Sequence, residues 1–385
     1  MTATPRKTSK ASTADSASSD APTAESSDSP ENLRQKALSD QADCRLAVEQ
    51  RKEIQGWKDS RKRIHDLRNL MRASLVDRDD AITAILAALI SRTGCVLLGP
   101  PGTAKSLLVS RIARECSLRI GTADANYFEY LLTAHTMPEE IFGPTEIGLL
   151  LGNPPQVKRR TVARLPHAEL AFLDEVFRGG SHILNTLLTI LNERRFYNGQ
   201  TVEEVPLVGF IGAANVPPQT EELKAFFDRF PVRVWVNSVL RDESKRYENA
   251  RRLIAADAGN DFRRGSGGNP PSMLDFRKLW SILRLKLAPN PNEPAHSENK
   301  RLQEFTRNFT SFQADGQLSD RSFVQLWYFA GALDMVENRD PDKSLAEGGL
   351  GHWNCFSYIA PTQQSEGVIK HNLKSRLAAS RSSGA

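Results

Sequence analysis

The sequence has few cysteines, no long apolar run and no large excess of charge of either sign. Its 385 residues include four cysteines, scattered without the spacing of a zinc site, as is typical of reduced thiols in a cytoplasm. No stretch reaches the roughly 18 apolar residues of a membrane-spanning helix, and the N-terminus has no apolar segment of a secretion signal. The formal net charge of +5 does not by itself indicate nucleic acid. We therefore predict a soluble cytoplasmic protein with no membrane partner.

Length and composition predict about two to three domains with a sizeable core. Residues 1–30 are rich in Ser, Thr, Ala, Asp and Pro and have almost no large apolar side chain, so we expect a disordered tail. Residues 31–75 are strongly charged and carry apolar residues at helical spacing, which predicts a charged helical extension. This extension either packs on the core or serves as a basic arm for nucleic acid or a partner. Its only aromatic residue, Trp57, gives the second interpretation little support.

A glycine-rich turn between an apolar run and a helical pattern is the most specific motif of the chain. The apolar run Cys95–Leu98 precedes Gly99–Ser106, which reads Gly-Pro-Pro-Gly-Thr-Ala-Lys-Ser. Such glycines let successive backbone N–H groups face one anion, and the following helix adds its positive dipole end. We predict that the chain binds a nucleoside triphosphate, with Lys105 on the β- and γ-phosphates and Ser106 on Mg²⁺. The residues expected to contact the nucleotide are Gly99, Pro100, Pro101, Gly102, Thr103, Ala104, Lys105, Ser106 and Leu107.

Two further apolar runs end in polar residues. Leu170–Leu173 is followed by Asp174 and Glu175, and Val208–Ala214 is followed by Asn215. If these strands run parallel to the first, Asp174 lies beside the phosphate loop and completes the Mg²⁺ shell. Glu175 is then placed to activate the attacking water as a general base, and Asn215 to orient that water and sense the γ-phosphate. The alternative is that the two acids cap the next helix and that Asn215 is a turn residue.

An arginine and a change of composition follow these motifs. Arg229 precedes the apolar run Val232–Val236, where it cannot easily reach its own nucleotide, so we predict that it acts on the nucleotide of a neighbouring subunit. A surface salt bridge is the alternative role. Glycines and prolines predict a linker at 241–271, and apolar residues at helical spacing predict a small all-helical domain at 272–374. The last residues, 375–385, are expected to form a disordered tail.

Taken together, these motifs resemble the MoxR class of AAA+ ATPases, and most closely its RavA-type branch. The similarity is dense over 77–235 and weaker beyond it. Ala104, in place of the usual last glycine, is expected to be sterically easy at a helix start, and the RavA-type motif has an alanine there too. The segments that carry the resemblance are Gly99–Ser106, Phe128–Thr133, Met137–Pro144, Phe172–Glu175, Ile183–Arg194, Phe196, Asn198–Gly199, Ala214–Asn215 and Asp228–Arg229.

The resemblance implies an α/β fold, in which an AAA+ P-loop NTPase core with a parallel sheet at 76–240 is followed by a small all-helical lid domain. It also implies an insert in the second helix at 131–166 and a hairpin at 195–204, both of which project toward the pore of a ring. Arg321, near the start of a lid helix, is implied as a second sensor that touches the γ-phosphate in its own subunit. The alternatives are an ordinary first-turn arginine and surface elaborations with no role of their own.

The function that the resemblance implies is Mg²⁺-dependent ATP hydrolysis by an oligomeric ring, expected to be a hexamer. Such a ring would act on a protein client as a chaperone-like remodelling motor or would insert a metal cofactor. A protein with a von Willebrand factor A domain is its expected partner. Two alternatives are an ATPase that remodels nucleic acid and a scaffold that binds nucleotide as a switch with little turnover. The presence of Asp174, Glu175, Asn215 and Arg229 argues against the switch.

Overall fold

The computed structural model describes residues 56–119, 126–152, 155–258, 270–287, 302, 305–306, 309–310, 319–339 and 355–358. The predicted tails and the first part of the predicted helical extension lie outside these residues. Within the described ranges, no helix is both long enough and apolar enough to cross a membrane.

Parallel strands form the central sheet, as predicted. Leu98 pairs with Ala214, and Leu173 pairs with Gly212, so the carboxyl ends of these neighbouring strands lie at the same edge of the sheet. The central strands are short apolar runs that are buried on both faces, as is usual for a parallel sheet covered by helices. In their order across the sheet, from one outer strand to the other, the five strands are Tyr127–Leu131 (β2), Leu170–Asp174 (β3), Gly209–Ala214 (β6), Cys95–Leu98 (β1) and Val232–Trp235 (β7).

An antiparallel hairpin stands apart from this sheet, at the position where the sequence predicts one. Its strands are Arg195–Asn198 (β4) and Thr201–Glu204 (β5), and the turn between them contains Gly199 with φ +64°. The Asn198 side chain accepts a hydrogen bond of 2.6 Å from the Arg159 N–H and donates one of 2.9 Å to the Arg159 carbonyl. The hairpin is therefore held to the insert that precedes β3.

Helices cover both faces of the sheet, and the helix before the glycine-rich turn is buried on almost every side. In Asp79–Ser91, every residue from Ala81 onward is buried, since this helix packs between β7 and the C-terminal helices. An apolar surface all round is what such a position requires. The helices are 56–74 (α1), Asp79–Ser91 (α2), Lys105–Glu115 (α3), Pro138–Phe142 (α4), Ile147–Leu150 (α5), Ser181–Glu193 (α6), Glu221–Phe227 (α7), Arg246–Ala258 (α8), Met273–Leu287 (α9) and Asp320–Val336 (α10).

Helix α1 belongs to the core rather than to a free arm. Its residues Trp57, Ile64 and Leu67 are buried in the same apolar cluster as α2 and α9. Between them, Lys58, Asp59, Lys62 and Asp66 are exposed, which explains the charged amphipathic pattern of this part of the sequence. The described part of the predicted extension therefore packs on the core.

Part of the segment predicted as a linker at 241–271 is helical. Helix α8 occupies Arg246–Ala258 and exposes most of its described side chains. Asn249 is the exception, because its amide donates a 2.7 Å hydrogen bond to the Val239 carbonyl. A helix that buries so little carries weak apolar periodicity, and this is why sequence reasoning missed it. Beyond the linker, α9 and α10 confirm that the described parts of 272–374 are helical.

Candidate functional site

The glycine-rich turn curls at the carboxyl end of β1 and leads directly into α3. Gly99 has φ +148°, and a Cβ there would collide with the Val236 carbonyl oxygen. Gly102 also has a positive φ, of +76°. The loop is anchored from below, because the Arg78 guanidinium donates a 3.1 Å hydrogen bond to the Thr103 carbonyl. Sequence reasoning did not single out Arg78, which is separated from the loop by the whole of α2.

The alanine in this loop adopts a conformation that the sequence did not lead us to expect. Ala104 is the residue before α3 and lies in the left-handed region, with φ 65° and ψ 31°. A Cβ costs roughly 1 kcal/mol in this conformation, whereas glycine adopts it freely. The expectation that alanine is sterically easy here was wrong. Alanine adds the smallest possible side chain to a position whose backbone favours glycine.

Lys105 is a buried cation surrounded by oxygen atoms. Its Nζ donates hydrogen bonds of 2.7 Å to the Gly99 carbonyl, 3.0 Å to the Pro100 carbonyl and 3.3 Å to Asn215 Oδ1. Burial lowers the pKa of this ammonium, although the negative charges of Asp174 and Glu175 oppose that effect. A desolvated cation at the mouth of a loop of backbone N–H groups fits an anionic phosphate group.

Ser106 and Asp174 meet beside this cation. The Ser106 hydroxyl donates a 3.3 Å hydrogen bond to Asp174 Oδ2, and Asp174 Oδ1 accepts a 2.9 Å hydrogen bond from the Glu175 N–H. The described residues contain no cluster of three or more His, Cys, Asp or Glu side chains that would hold a metal alone. One hydroxyl and one carboxylate fit Mg²⁺, which is usually bound through one or two protein oxygens together with substrate phosphates.

Glu175 and Asn215 form a direct contact across β3 and β6. Asn215 Nδ2 donates a 2.6 Å hydrogen bond to Glu175 Oε1, and the Arg178 Nε lies 3.3 Å from Glu175 Oε2. The backbone of Glu175 is left-handed, with φ 52°. Arg178 was not identified from the sequence, although its place three residues after Glu175 in a tight turn is the signal that could have found it.

Arg229 lies at the opposite edge of the sheet from the glycine-rich turn. Its carbonyl faces Gly94, which precedes β1, whereas the phosphate loop follows β1. The Arg229 Nη1 lies 3.4 Å from Asp228 Oδ2, and its Nε is buried without a hydrogen-bond partner. The backbone of Arg229 therefore lies at the other end of β1 from the loop of its own chain, and a role toward a neighbouring subunit stays a prediction.

The Arg321 side chain lies within the electrostatic reach of Arg229 and has no such interaction with Lys105 among the described residues. Its Nη2 donates a 3.4 Å hydrogen bond to the Asn192 carbonyl at the end of α6. Burial lowers the pKa of this guanidinium, and the positive charge of Arg229 lowers it further. These contacts do not support the expectation that Arg321 touches the γ-phosphate in its own subunit. Helix α10 packs on α2, and Arg321 in its first turn lies at the carboxyl end of α6.

Known proteins are similar to parts of this chain. Two uncharacterized proteins of Methanocaldococcus jannaschii are 41% identical over 191 residues and 40% identical over 195 residues. The matches cover 50% and 51% of this chain and 48% of each relative, so they span about half the length of those proteins. The crystal structure of a candidate ATPase from Cytophaga hutchinsonii superimposes with a TM-score of 0.55 at 18% identity, covering 85% of this chain and 98% of that one. At that identity the likeness supports the fold alone.

The family assignment rests on a match over about half of the chain. Residues 62–258 match the model of the MoxR domain found in the MoxR–vWA–beta-propeller ternary systems. This region contains α2, the phosphate loop, the two acidic residues after β3, Asn215 and Arg229. The RavA-type branch stays a prediction, since this match does not specify that branch. The chain belongs to the MoxR family of AAA+ ATPases.

Proposed function

We propose that this chain hydrolyses ATP with the help of Mg²⁺ and that it does so as part of an oligomeric ring. The observation that carries the proposal is one chain of contacts at the carboxyl edge of the sheet. Lys105 reaches Asn215 at 3.3 Å, and Asn215 reaches Glu175 at 2.6 Å. Ser106 and Asp174 lie beside this network, 3.3 Å apart. A cation, a metal-binding pair and a carboxylate base are the groups that phosphoryl transfer to water needs.

Some residues of this network bind the nucleotide and Mg²⁺, and others act on the attacking water. Lys105 exchanges loop carbonyls for phosphate oxygens, which are stronger acceptors for an ammonium group. Ser106 and Asp174 hold Mg²⁺, which supplies positive charge to offset the charge that develops on the transferred phosphoryl group. Glu175 accepts a proton from the attacking water. Asn215, which contacts both Lys105 and Glu175, orients that water and registers the occupied phosphate site.

The arginines at the other edge of the sheet act on a neighbouring subunit. Arg229 lies beside Gly94, at the far end of β1 from its own phosphate loop, so it serves the nucleotide of the next subunit as an arginine finger. Arg321 lies within the electrostatic reach of Arg229 and is proposed to act from the same face. Hydrolysis then shifts one subunit against the next, and a closed ring, expected to be a hexamer, transmits the motion to its client.

The output we propose is chaperone-like work on a protein client, including the insertion of a metal cofactor. Its partner is a protein with a von Willebrand factor A domain, as the description of the matching MoxR systems supports. Co-purification of the full chain from its native host, with ATP present and with ATP removed, tests this partner. Recovery of no such protein in either condition would remove this part of the proposal.

The first test of the proposed activity is the substitution Glu175→Gln, which keeps the size of the side chain and removes the base. We expect ATP hydrolysis to fall by about 10²- to 10⁴-fold while binding of a fluorescent ATP analogue persists. Glu243→Gln is the matched control, because Glu243 is an exposed carboxylate on the loop before α8. A Glu175→Gln variant that hydrolyses ATP as fast as wild type would contradict the proposal.

A further inference from the structure

Four arginines lie near the amino edge of β1. Some contact this region through their side chains and others through their backbone carbonyls, and Arg194 contacts one of the others directly. Arg194 is the residue that ends α6, and its Nη2 donates a 3.0 Å hydrogen bond to the carbonyl of Arg92, which ends α2. Arg321 donates to the carbonyl of Asn192, two residues before Arg194. The carbonyl of Arg229 lies against Gly94, two residues after Arg92. The four arginines thus come from four different helix ends that converge on one place.

This cluster has more positive than negative charge. The carboxylates that act on Arg321 are Asp228 and Glu193. Asp228 is already engaged, since it accepts hydrogen bonds of 2.8 Å from the Ser319 hydroxyl and 3.2 Å from the Ser322 hydroxyl. Glu193 is exposed. These two carboxylates lie near Arg321, whereas Arg92 lies near two further cations, Arg277 and Arg284.

Arg194 has the least compensated charge in the group. Burial, followed by the positive charges of Arg92 and Arg321, lowers the pKa of Arg194 to about 10. Its Nη1 is buried and has no hydrogen-bond partner. The Nε atoms of Arg92 and Arg229 are in the same condition. A buried donor without an acceptor costs free energy, and a charged donor costs more. Unpartnered donors on several arginines of this cluster favour an anion as their acceptor.

The anion cannot come from the phosphate loop of the same chain. Gly94 and Gly99 stand at opposite ends of β1, which places them about 16 Å apart at roughly 3.3 Å per residue. An arginine side chain is too short to cross that distance from Arg194. The ligand therefore has to be brought to this face by another molecule, and the geometry favours a highly charged, compact group that several guanidinium groups can share.

We propose that Arg194 is the inner member of an arginine face, shared with Arg229 and Arg321, that receives the terminal phosphates of a nucleotide bound to a second copy of this chain. The inference rests on the proposed function and goes beyond it in assigning a role to Arg194. Arg194 acts as a positioning residue: it holds the Arg92 carbonyl with one nitrogen and adds positive charge beneath the two outer arginines. Without the phosphates of the second copy, the site is incomplete.

The test compares Arg194→Met with Arg195→Met, since Arg195 is the next residue along the chain and is exposed. The rate of ATP hydrolysis per subunit is measured in the full chain as the protein concentration rises. We expect the rate of the assembled Arg194→Met protein to be at least tenfold lower than that of the assembled wild type. Its affinity for a fluorescent ATP analogue should equal that of wild type. Arg195→Met is expected to match wild type. An Arg194→Met rate equal to that of Arg195→Met would overturn the inference.

Mixing subunits separates a role at the interface from a role in folding. In a mixture of Arg194→Met with Glu175→Gln, some interfaces pair an intact arginine face with an intact Glu175, so part of the lost rate should return. A folded Arg194→Met variant that regains nothing in this mixture would show that Arg194 is only structural.

Arg194→Lys provides a second route if the methionine variant does not fold. Lysine keeps the positive charge, but its single nitrogen cannot both bind the Arg92 carbonyl and face the phosphates. We therefore expect the rate of ATP hydrolysis to fall at least threefold, and mixing with Glu175→Gln should restore part of it. A lysine variant with the full wild-type rate would reject the role of Arg194. If Arg229→Ala also leaves the rate unchanged, the proposed function itself fails at the subunit interface. If Arg229→Ala is inactive while both Arg194 variants are active, only this inference fails.

Discussion

Single backbone positions decide whether the phosphate loop can form. Gly99 combines a φ of +148° with a carbonyl oxygen of Val236 directly where a Cβ would stand. The two constraints are independent, because one concerns the local conformation and the other concerns packing against the end of β7. No residue other than glycine satisfies both without moving β7 away from β1.

We therefore predict that Gly99→Ala destabilises the chain and weakens nucleotide binding. The expected loss is about 2–4 kcal/mol of the free energy of unfolding, from the strained φ and the collision with Val236 together. Chemical unfolding and titration with a fluorescent ATP analogue measure both effects. Gly148→Ala is the matched control, since a Cβ at Gly148 in α5 meets nothing within 4 Å, and alanine there is expected to be neutral or to stabilise the helix by up to about 1 kcal/mol. Equal behaviour of the two variants would contradict this account of the loop.

At the scale of elements, one buried carboxylate connects helix α1 to helix α9. Asp275 is buried near the start of α9, where it accepts hydrogen bonds of 2.7 Å from the Ser60 hydroxyl and 2.8 Å from the Ser272 N–H. It also forms an ion pair with Arg63. Burial opposes the ionised form of Asp275, but these partners outweigh it and hold its pKa below the ordinary value of 3.8.

This contact predicts a pH-dependent stability. Because the pKa of Asp275 is lower in the folded chain than in the unfolded chain, the ionised carboxylate stabilises the fold above pH 3.8, and that contribution is lost as the pH falls through the folded pKa. Asp275→Asn should therefore lower the free energy of unfolding by about 1–3 kcal/mol at pH 7, and the difference from wild type should shrink below about pH 4.

Chemical unfolding across this pH range checks the prediction. The control is Asp79→Asn, which removes a half-exposed ion pair with Arg72 at the start of α2. We expect this control to change stability by less than about 1 kcal/mol. A difference between Asp275→Asn and wild type that stays constant down to pH 3 would mean that Asp275 does not act through its charge.

At the scale of the whole molecule, the residues of the proposed site lie at two opposite edges of the sheet. The carboxyl edge holds Lys105, Asp174 and Glu175, whereas the amino edge holds Arg229 and Arg321. A single chain cannot bring the two halves together, because β1 and its neighbours separate them. The ring proposed above would join them, because each subunit would present its amino edge to the carboxyl edge of the next.

This arrangement predicts that hydrolysis depends on assembly. We expect the wild-type rate per subunit to rise with protein concentration and Arg229→Ala to lower the rate of the assembled protein by about 10³-fold. A mixture of Arg229→Ala with Glu175→Gln should recover part of the rate, because some interfaces regain both groups. Arg252→Ala, on the exposed surface of α8, is the control. A rate that is independent of concentration and of Arg229 would mean that each chain works alone.

Local patterns predicted the α/β fold and its parallel sheet, because strand, turn and helix signals near Gly99–Ser106 depend only on neighbouring residues. Asp174, Glu175 and Asn215 were found for the same reason, since each follows an apolar strand directly. Parallel strands then bring their carboxyl ends to one edge whatever the rest of the fold does. Helix α8 was missed because it buries too little to show a pattern.

The sequence by itself determined the class of the protein, the phosphate loop and the acidic pair after β3. Only the tertiary structure decided which residues at a distance share one place. It set Ala104 in a left-handed conformation, brought Arg178 to Glu175, and gathered the arginines of four helix ends at the far edge of the sheet. The physical reason is that periodicity and motif spacing report the contacts of a residue with its neighbours along the chain. The packing of α2 between the sheet and α10 depends on contacts between elements that are distant in sequence. The position of Arg321 near Arg229 depends on such contacts too.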